Sequence, residues 1–555
     1  NVAGRVRIDN THSEYEGKLY ASSSNTLTDG SSQGHYTVNN GQYSQTYADV
    51  LVNINKRIQD FTIVANIGAS YSGVTSKELG YAGPIRETGI PNLFNVYDLD
   101  NAKKRATQVG WREATESIFA SAEVGWKSML YLTVTGRNDW ASQLTHSPQA
   151  SFFYPSVGLS AVITEILKLP DWVDYLKVRG SFSSVGNPYP RFLTYPTYSY
   201  DANKQDWKSQ TNYPIGKLYP ERTDSWEVGL DATLFKDFKL SGSFYYANTY
   251  NQTFDPRLPV SSGYDKLYVQ TGYVRNYGFE AMLSYGHRWG DFGWDSSFTF
   301  SANKNEIVEL VKDYVHPETG KTYNVDKLEL KTDEGRGFGK AKFILKEGGT
   351  LGDLYTHADL KRDINGNVLI DDSGNVTAID NAGDIKLGSV LPKANLAWNN
   401  SFSYKGINAG FLLTARLGGI VYSATQAYLD LYGVSETSAA ARDAGGVWIN
   451  GRSRVNPQSF YEVVASQSGL PTYYTYSATN LRLQEAHIGY TVPRRWLGNV
   501  CDINVSLVGR NLWMIYCKAP FDPEAVATTN NYYQGIDYFM MPSTRNIGFN
   551  IKINF

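Results

Sequence analysis

From Ser543 to the end of the chain, apolar Ile547, Phe549, Ile551, Ile553 and Phe555 alternate with polar or small Asn546, Gly548, Asn550, Lys552 and Asn554. A period of two puts one set on each face of a strand. The same alternation opens the chain, with Val2, Gly4, Val6 and Ile8 against Ala3, Arg5, Arg7 and Asp9. Strands are predicted between these ends at Tyr47 to Ile58, Phe61 to Tyr71, Thr115 to Trp126, Leu130 to Arg137, Phe152 to Thr164, Val173 to Ser183 and Arg222 to Phe235. They continue at Phe238 to Tyr250, Tyr273 to Arg288, Phe292 to Asn303, Leu391 to Tyr404, Ile407 to Leu417, Asn480 to Val492 and Cys501 to Trp513.

The links between these segments alternate in length. Two-residue turns fall at Gln59 and Asp60, Lys127 and Ser128, Lys236 and Asp237, Gly290 and Asp291, and Lys405 and Gly406. Between them lie long links, among them Thr11 to Gln45, Ser72 to Trp111, Val185 to Glu221, Asn305 to Val390 and Gly418 to Tyr476. Roughly sixteen tilted strands of about 11 to 14 residues would each rise about 30 Å, enough for an outer-membrane apolar band, with short turns on one rim and long loops on the other. The expected fold class is therefore all-β: a transmembrane antiparallel β-barrel of about sixteen strands. Phe61, Ile63, Ile67, Phe549, Ile551 and Ile553 are expected on the lipid face, and Asn66, Asn550 and Lys552 on the lumen face.

Composition refines this picture. Apolar residues make up 42% of the 555, mean hydropathy is negative, and no run of about 18 apolar residues offers a spanning helix. A barrel can look this polar, because only every second strand residue meets lipid. The 41 Tyr and 12 Trp suit interfacial girdles and ligand-stacking loops alike. With 52 basic against 54 acidic residues there is no basic footprint for nucleic acid. Cys501 and Cys517 flank a predicted strand, too far apart to bridge, so two free thiols are expected.

Several motifs carry a family resemblance. Arg137, Asn138 and Asp139 with Tyr154, Pro155 and Ser156, the run LKVRGSFSSVGN from Leu176 to Asn187, and Pro220 to Thr223 ahead of Glu227, Gly229 and Asp231 resemble the barrel of SusC-like TonB-dependent transporters. So do YVRNYGFEAMLSYG from Tyr273 to Gly286 and Gly388 with Leu391, Pro392 and Lys393. The closing region is the most specific: IGYTVP from Ile488 to Pro493, then Gly509, Arg510, Asn511 and Leu512, then Asp522, Pro523 and Glu524, and the terminal Phe555.

The resemblance implies a multi-pass protein of the bacterial cell outer membrane. It would import oligosaccharides or peptides with energy delivered by the TonB complex, under a SusD-like surface lipoprotein acting as a lid. It also implies that residues 1–555 form the C-terminal portion of a 22-stranded barrel, with the plug, the TonB-contacting part and the first strands lying upstream. No cofactor, metal or enzymatic activity is implied. Two other classes remain: a passive sixteen-stranded porin, whose closing strand would pair with Val2 to Asp9, and an outer-membrane enzyme.

Candidate chemistry is sparse. Gly30 to Gly34 spell the GxSxG of a hydrolase elbow, but in a polar loop without the required strand and helix. Asp359, Asp363, Asn365, Asp371, Asp372, Asp380 and Asp384 miss the calcium-loop spacing and read as Asn-Gly and Ser-Gly turns. Asp522 and Glu524 could pose as a glycosidase pair, although the family motif makes them loop-fixing residues. The aromatic loop residues are the better candidates. Trp207, Tyr473, Tyr474, Tyr532 and Tyr533 are the candidate substrate-binding positions, with Tyr198, Tyr200 and Tyr476 clustered beside them and Tyr428 and Tyr432 forming a further aromatic cluster. Aromatic rings stack on the C–H faces of sugars; the alternative roles are girdle, packing or lid contact.

Overall fold

The computed structural model describes residues 1–193, 197–201, 205–209, 212–213, 218–254, 266–267, 269–315, 320, 322–330, 337–527 and 534–554. Sixteen strands follow one another in chain order within a single sheet. They are β1 (Val2–Leu19), β2 (His35–Ile58), β3 (Phe61–Pro84), β4 (Arg105–Trp126), β5 (Leu130–Ala141), β6 (Ser151–Val162), β7 (Val173–Asn187) and β8 (Glu221–Leu234). The second half comprises β9 (Phe238–Phe254), β10 (Val269–Trp289), β11 (Phe292–Glu309), β12 (Ala394–Tyr404), β13 (Ile407–Leu417), β14 (Asn480–Val492), β15 (Asp502–Cys517) and β16 (Asn546–Asn554). The strand count read from alternation is thus met, and no helix among the described residues is long and apolar enough to cross a membrane.

Contacts divide the chain into two compact units, the first of residues 1–159, 182–223 and 257–270 and the second of 160–181, 224–256 and 271–555. In the first, β1 to β5 form an antiparallel meander whose register runs from Val2 opposite Val52 to Trp126 opposite Leu130. Phe61 and Ile67 are exposed on the apolar face, while Asn66 on the other face donates to Ser121 Oγ at 3.2 Å. In the second unit, Asn550 lies opposite Ser506 and Lys552 opposite Asn504, and Ile547, Phe549, Ile551 and Ile553 are all exposed on the far face. A one-residue slip would reverse both sets, so the hydropathy pattern fixes the register.

Short turns take left-handed backbone. Gln59, Lys127, Lys236, Gly290 and Lys405 have φ between 46° and 67°, as twist-matched hairpins require. Gly406 follows at φ 91°, where a Cβ would stand 2.9 Å from the Thr491 carbonyl oxygen, so only glycine fits. Aromatic rings gather at this end of the second unit's strands: Trp172 stacks on Phe235, Phe238 packs on Tyr285, and Trp289 on Phe292. That is the composition of an interfacial girdle.

The long links differ from expectation in one consistent way. The predicted loop Thr11 to Gln45 is mostly strand, since β1 and β2 stay paired out to Leu19 opposite His35 and leave only residues 20–34 as link. Likewise β3 and β4 shorten the predicted Ser72 to Trp111 loop to residues 85–104. Beyond the apolar band both faces of a strand can be polar, so the ladder continues without a hydropathy signal.

Two long links of the second unit are folded. Among the described residues of 327–389 is a small five-stranded sheet of Lys327–Glu329, Gly337–Phe338, Ala341–Lys346, Asp353–Thr356 and Ile385–Ser389. Residues 424–464 hold helices α1 (Ala424–Leu431), α2 (Glu436–Asp443) and α3 (Pro457–Val464), capped by Ser423, Ser435 and Asn456 respectively. Tyr422, Ala427, Phe343, Leu354 and Tyr474 form a buried cluster joining sheet and helices.

Candidate functional site

The closing motif converges on one residue. On β14, Arg482 grips Asp522 with two bonds, Nη2 to Oδ1 at 2.8 Å and Nη1 to Oδ2 at 3.2 Å, and reaches Glu524 Oε2 at 3.2 Å. Its Nε donates to Asn480 Oδ1 at 3.3 Å and its Nη1 to Asn511 Oδ1 at 3.5 Å, while Asn480 Nδ2 donates to Glu524 Oε1 at 3.2 Å. Burial works against ionisation of Asp522, but the Arg482 guanidinium and the Glu524 backbone N–H hold its carboxyl below the usual range. The guanidinium fork is thereby filled on both sides.

The rest of the motif makes this possible. Register shifts between Leu481 and Arg482 and between Leu483 and Glu485 bulge β14 against β15, which re-aims side chains at that point. Asn511 takes φ 53° and donates to the Thr544 carbonyl oxygen at 3.2 Å. A Cβ on Gly509 would come within 2.6 Å of Leu512, and Arg510 Nε pairs with Glu485 at 3.0 Å. Pro523 sits between the two carboxylates that hold Arg482, in the turn they fix. Asp522 and Glu524 are thus engaged with one arginine, as a loop-fixing reading requires.

Arg482 itself had no place among the candidate residues. The available signal was an arginine flanked by Asn480 and Gln484 in an otherwise alternating strand, with two carboxylates waiting in the next long link.

Close to this knot the second unit has an open pocket of about 750 Å³, lined among others by Arg179, Glu280, Phe300, Asn395, Arg416 and Glu524. A neighbouring space of about 610 Å³ is lined by Tyr245, Asn303, Lys304, Lys393 and Gly418 and shares Glu280 with the first.

The aromatic candidates scatter. Trp207 lies in the first unit, on a hairpin of Tyr198–Asp201 and Asp206–Ser209, two-thirds exposed and packed against Tyr200 at 5.3 Å. Tyr474 is 2% exposed, its hydroxyl donating to Asp430 Oδ2 at 3.0 Å, so its ring is a core element. Tyr473 is half-buried against Phe460. Tyr476 meets Phe521 edge-on, and burial pushes its hydroxyl up to about 12. Tyr428 packs with Phe539, and Tyr432 is exposed. Tyr532, Tyr533 and Phe555 lie outside the described residues.

Three further motifs have structural work. Ser32 of the GxSxG run donates to Glu87 Oε2 at 2.6 Å, in the link between β1 and β2, where turns rather than a strand lead into it and a strand rather than a helix follows. Asp363 Oδ1 accepts from the backbone of Asn365 and Asn367, both at 2.8 Å, and Asp371 Oδ1 caps its own turn in the same way through Ser373 and Asn375. Cys501 and Cys517 are free thiols.

A sixteen-stranded antiparallel meander with one apolar face, aromatic strand ends and alternating links defines a transmembrane β-barrel protein. A family model described as TonB dependent receptor-like, beta-barrel matches residues 4–512, and the chain belongs to that family, whose place is the bacterial outer membrane. TonB-dependent receptor P3 of Formosa agariphila is 24% identical over 524 residues, covering 87% of this chain and 50% of that protein. TonB-dependent receptor SusC of Bacteroides thetaiotaomicron is 24% identical over 433 residues, covering 72% and 40%. Among solved structures, the RagAB peptide transporter superposes with a TM-score of 0.74 at 17% identity, covering all of this chain and 60% of that one. The chain spans about half the length of these curated relatives or less.

Proposed function

We propose that this chain is the C-terminal barrel portion of an active outer-membrane importer of oligosaccharides or peptides, energised through TonB and working with a SusD-like surface lipoprotein. Membership of the TonB-dependent receptor family is the observation that carries this reading. The similarity to SusC and to a peptide transporter supports it, and the folded long links offer surface on which a lid and a ligand could both rest. Trp207, with its exposed ring, and half-buried Tyr473 are the proposed aromatic contacts among the described residues; Tyr532 and Tyr533 are further proposed positions. The domain proposal is that a plug and further strands belong to the same polypeptide.

The test is uptake in cells. Deleting the gene should abolish accumulation of its solute, and so should collapsing the proton gradient or deleting tonB. Uptake that survives loss of TonB would instead fit a passive pore.

A further inference from the structure

The lipid-facing side of β1 to β5 changes character along its length. Pairing aligns Gly4, Val50, Ala69 and Ile118 in one row across four strands, and Val6, Ala48, Tyr71, Glu116 and Trp140 in the next. Val6, Val50 and Ile118 are more than half exposed, on the face that also carries Phe61 and Ile67. Along these rows runs an open groove of about 520 Å³, lined among others by Gly4, Val6, Val50, Ala69, Ile118 and Trp140. Exposed Tyr71 and Trp140 at its upper end have the character of an interfacial aromatic belt.

Beyond that belt, toward the links 20–34 and 85–104, the same face turns polar and basic. The next rows set Thr46 beside Gly73 and Ala114, Ser44 beside Thr75 and Arg112, and Gln42 beside Lys77 and Gly110. A second open depression, of about 400 Å³, meets the groove at Tyr71 and is lined among others by Ser44, Thr46, Gly73, Thr75 and Arg112. Arg112 and Lys77 are diagonal neighbours on β4 and β3, and both are exposed. Neither side chain has an ion pair or hydrogen bond among the described residues, and the same is true of the Ser44, Thr46 and Thr75 hydroxyls. The neighbouring carboxylates do not neutralise the pair. Glu78 and Glu113 alternate onto the opposite face, Glu113 there bonding Arg191 at 2.9 Å. On the same face, Glu116 is about 13 Å down β4 from Arg112, and Glu14 is on β1 with β2 between it and Lys77.

Two like charges side by side on a sheet repel, so an anion held between them is favoured. Further barrel strands would add beside β1 in the plane of the sheet, and a plug would lie on the other face, where Arg5 pairs with Asp49. Neither covers this surface; in the membrane, lipid does. The long links place its basic end in the outer leaflet. Arg112 stands two rows past the belt, about 10 Å along the membrane normal for a strand tilted by about 40°. A phospholipid headgroup layer is only about 5 to 8 Å deep, so an anion at this height belongs to a larger headgroup built of sugars.

We propose that this surface seats one phosphorylated glycolipid of the outer leaflet. An acyl chain lies in the groove beside Gly4 and Val50, sugar hydroxyls meet Ser44, Thr46 and Thr75, and a phosphate is held by Arg112 and Lys77. The site requires the membrane barrel alone and is independent of what the protein imports.

The test is native mass spectrometry of the full-length protein in detergent, titrated with lipid A bisphosphate and with the same lipid stripped of both phosphates. The bisphosphate should bind as one copy, about tenfold or more tighter than the stripped form, as expected of a charge-assisted contact. Arg112→Gln combined with Lys77→Gln should erase that preference. Gly4→Leu, whose side chain enters open space, should weaken both lipids and leave their ratio unchanged. All three substitutions sit at exposed positions, so the variants should fold. Equal binding of the two lipids, no retained lipid, or a preference undiminished in the double variant would overturn the proposal. So would displacement of the lipid by inorganic phosphate, which would mean a site for a free anion, or a protein dimer that the double variant dissociates, which would mean that a second copy covers this face.

Discussion

Arg482 and Asp522 meet through two parallel hydrogen bonds, and their side chains are only 6% and 10% exposed. The pair ties a barrel strand to the long link that leads into β16. Removing the arginine would strand two carboxylates, and breaking one partner of a buried pair costs about 3 to 5 kcal/mol. Arg482→Ala should therefore lower the denaturation midpoint of the folded barrel and open residues 518–527 to protease. Combining it with Asp522→Asn should cost much less than the sum of the two single changes. Additive losses would show that the two residues do not act as a unit.

The same pair sets a pH dependence. Asp522 has a folded pKa below its unfolded value, so its contribution is fully present above the ordinary carboxylate pKa of about 3.9 and is lost as pH falls through the folded value. Protease resistance of the 518–527 link should be flat from neutral pH down to about pH 5 and should decline only in stronger acid. Asp522→Asn should remove the acid step. A decline already under way between pH 7 and 5 would place the controlling group elsewhere.

Tyr474 and Trp207 separate packing from binding. Tyr474→Phe leaves buried Asp430 without one of its donors, beside those from Gln426 and Ser435, and should cost about 1 to 3 kcal/mol of stability with solute affinity unchanged. Trp207→Ala should leave thermal unfolding unchanged and weaken solute binding by the loss of one stacking face. The check is calorimetric affinity beside an unfolding curve for each variant. A reversed pattern would exchange their roles.

Much of this fold is legible in the sequence because one physical rule, alternation at period two, holds wherever a strand faces lipid. It locates all sixteen strands and places Asn66 and Lys552 on the polar face. It fails past the apolar band, where Thr11 pairs with Tyr43 and Lys18 with Tyr36 although neither stretch alternates. The helices at 424–464 are marked only by local caps, such as Asn456 before Pro457. The Arg482 knot joins residues 40 apart, which no local pattern reports. Tyr474 shows the limit of composition, since a Tyr-rich loop reads alike whether its rings face solvent or a core.

Face assignment can be tested on β16. Ile551→Lys would put an ammonium on the apolar face, at a cost of about 2 to 4 kcal/mol near the bilayer midplane. Asn550→Lys should be nearly neutral, because Asn550 shares its face with Lys552. Folding yields into lipid vesicles, read from the heat-dependent shift in gel mobility, should separate the two variants. Equal loss in both would mean that the strand does not present its Ile547, Phe549 and Ile551 face to lipid.

The final expectation concerns the two strands that end the sheet order. β1 pairs with β2 and β16 with β15, and the order places β1 and β16 at opposite ends. Backbone groups left unpaired in lipid cost several kcal/mol each, so in the membrane both strands must find a second partner. The domain proposal supplies it as further strands of the same polypeptide, lying between them, whereas the porin alternative supplies it by pairing β1 with β16 directly. Cysteine crosslinking of the full-length protein, with Cys501 and Cys517 changed to Ser, distinguishes these. Val6→Cys with Ala48→Cys, directly opposed across β1 and β2, should crosslink on oxidation and serves as the positive control. Val6→Cys paired in turn with cysteine at each of Ile547, Phe549, Ile551 and Ile553 should give no intramolecular crosslink, because intervening strands hold the two segments apart. A crosslink as efficient as the control at any of these positions would mean that the barrel closes on itself through β1 and β16, and the larger-barrel proposal would fall.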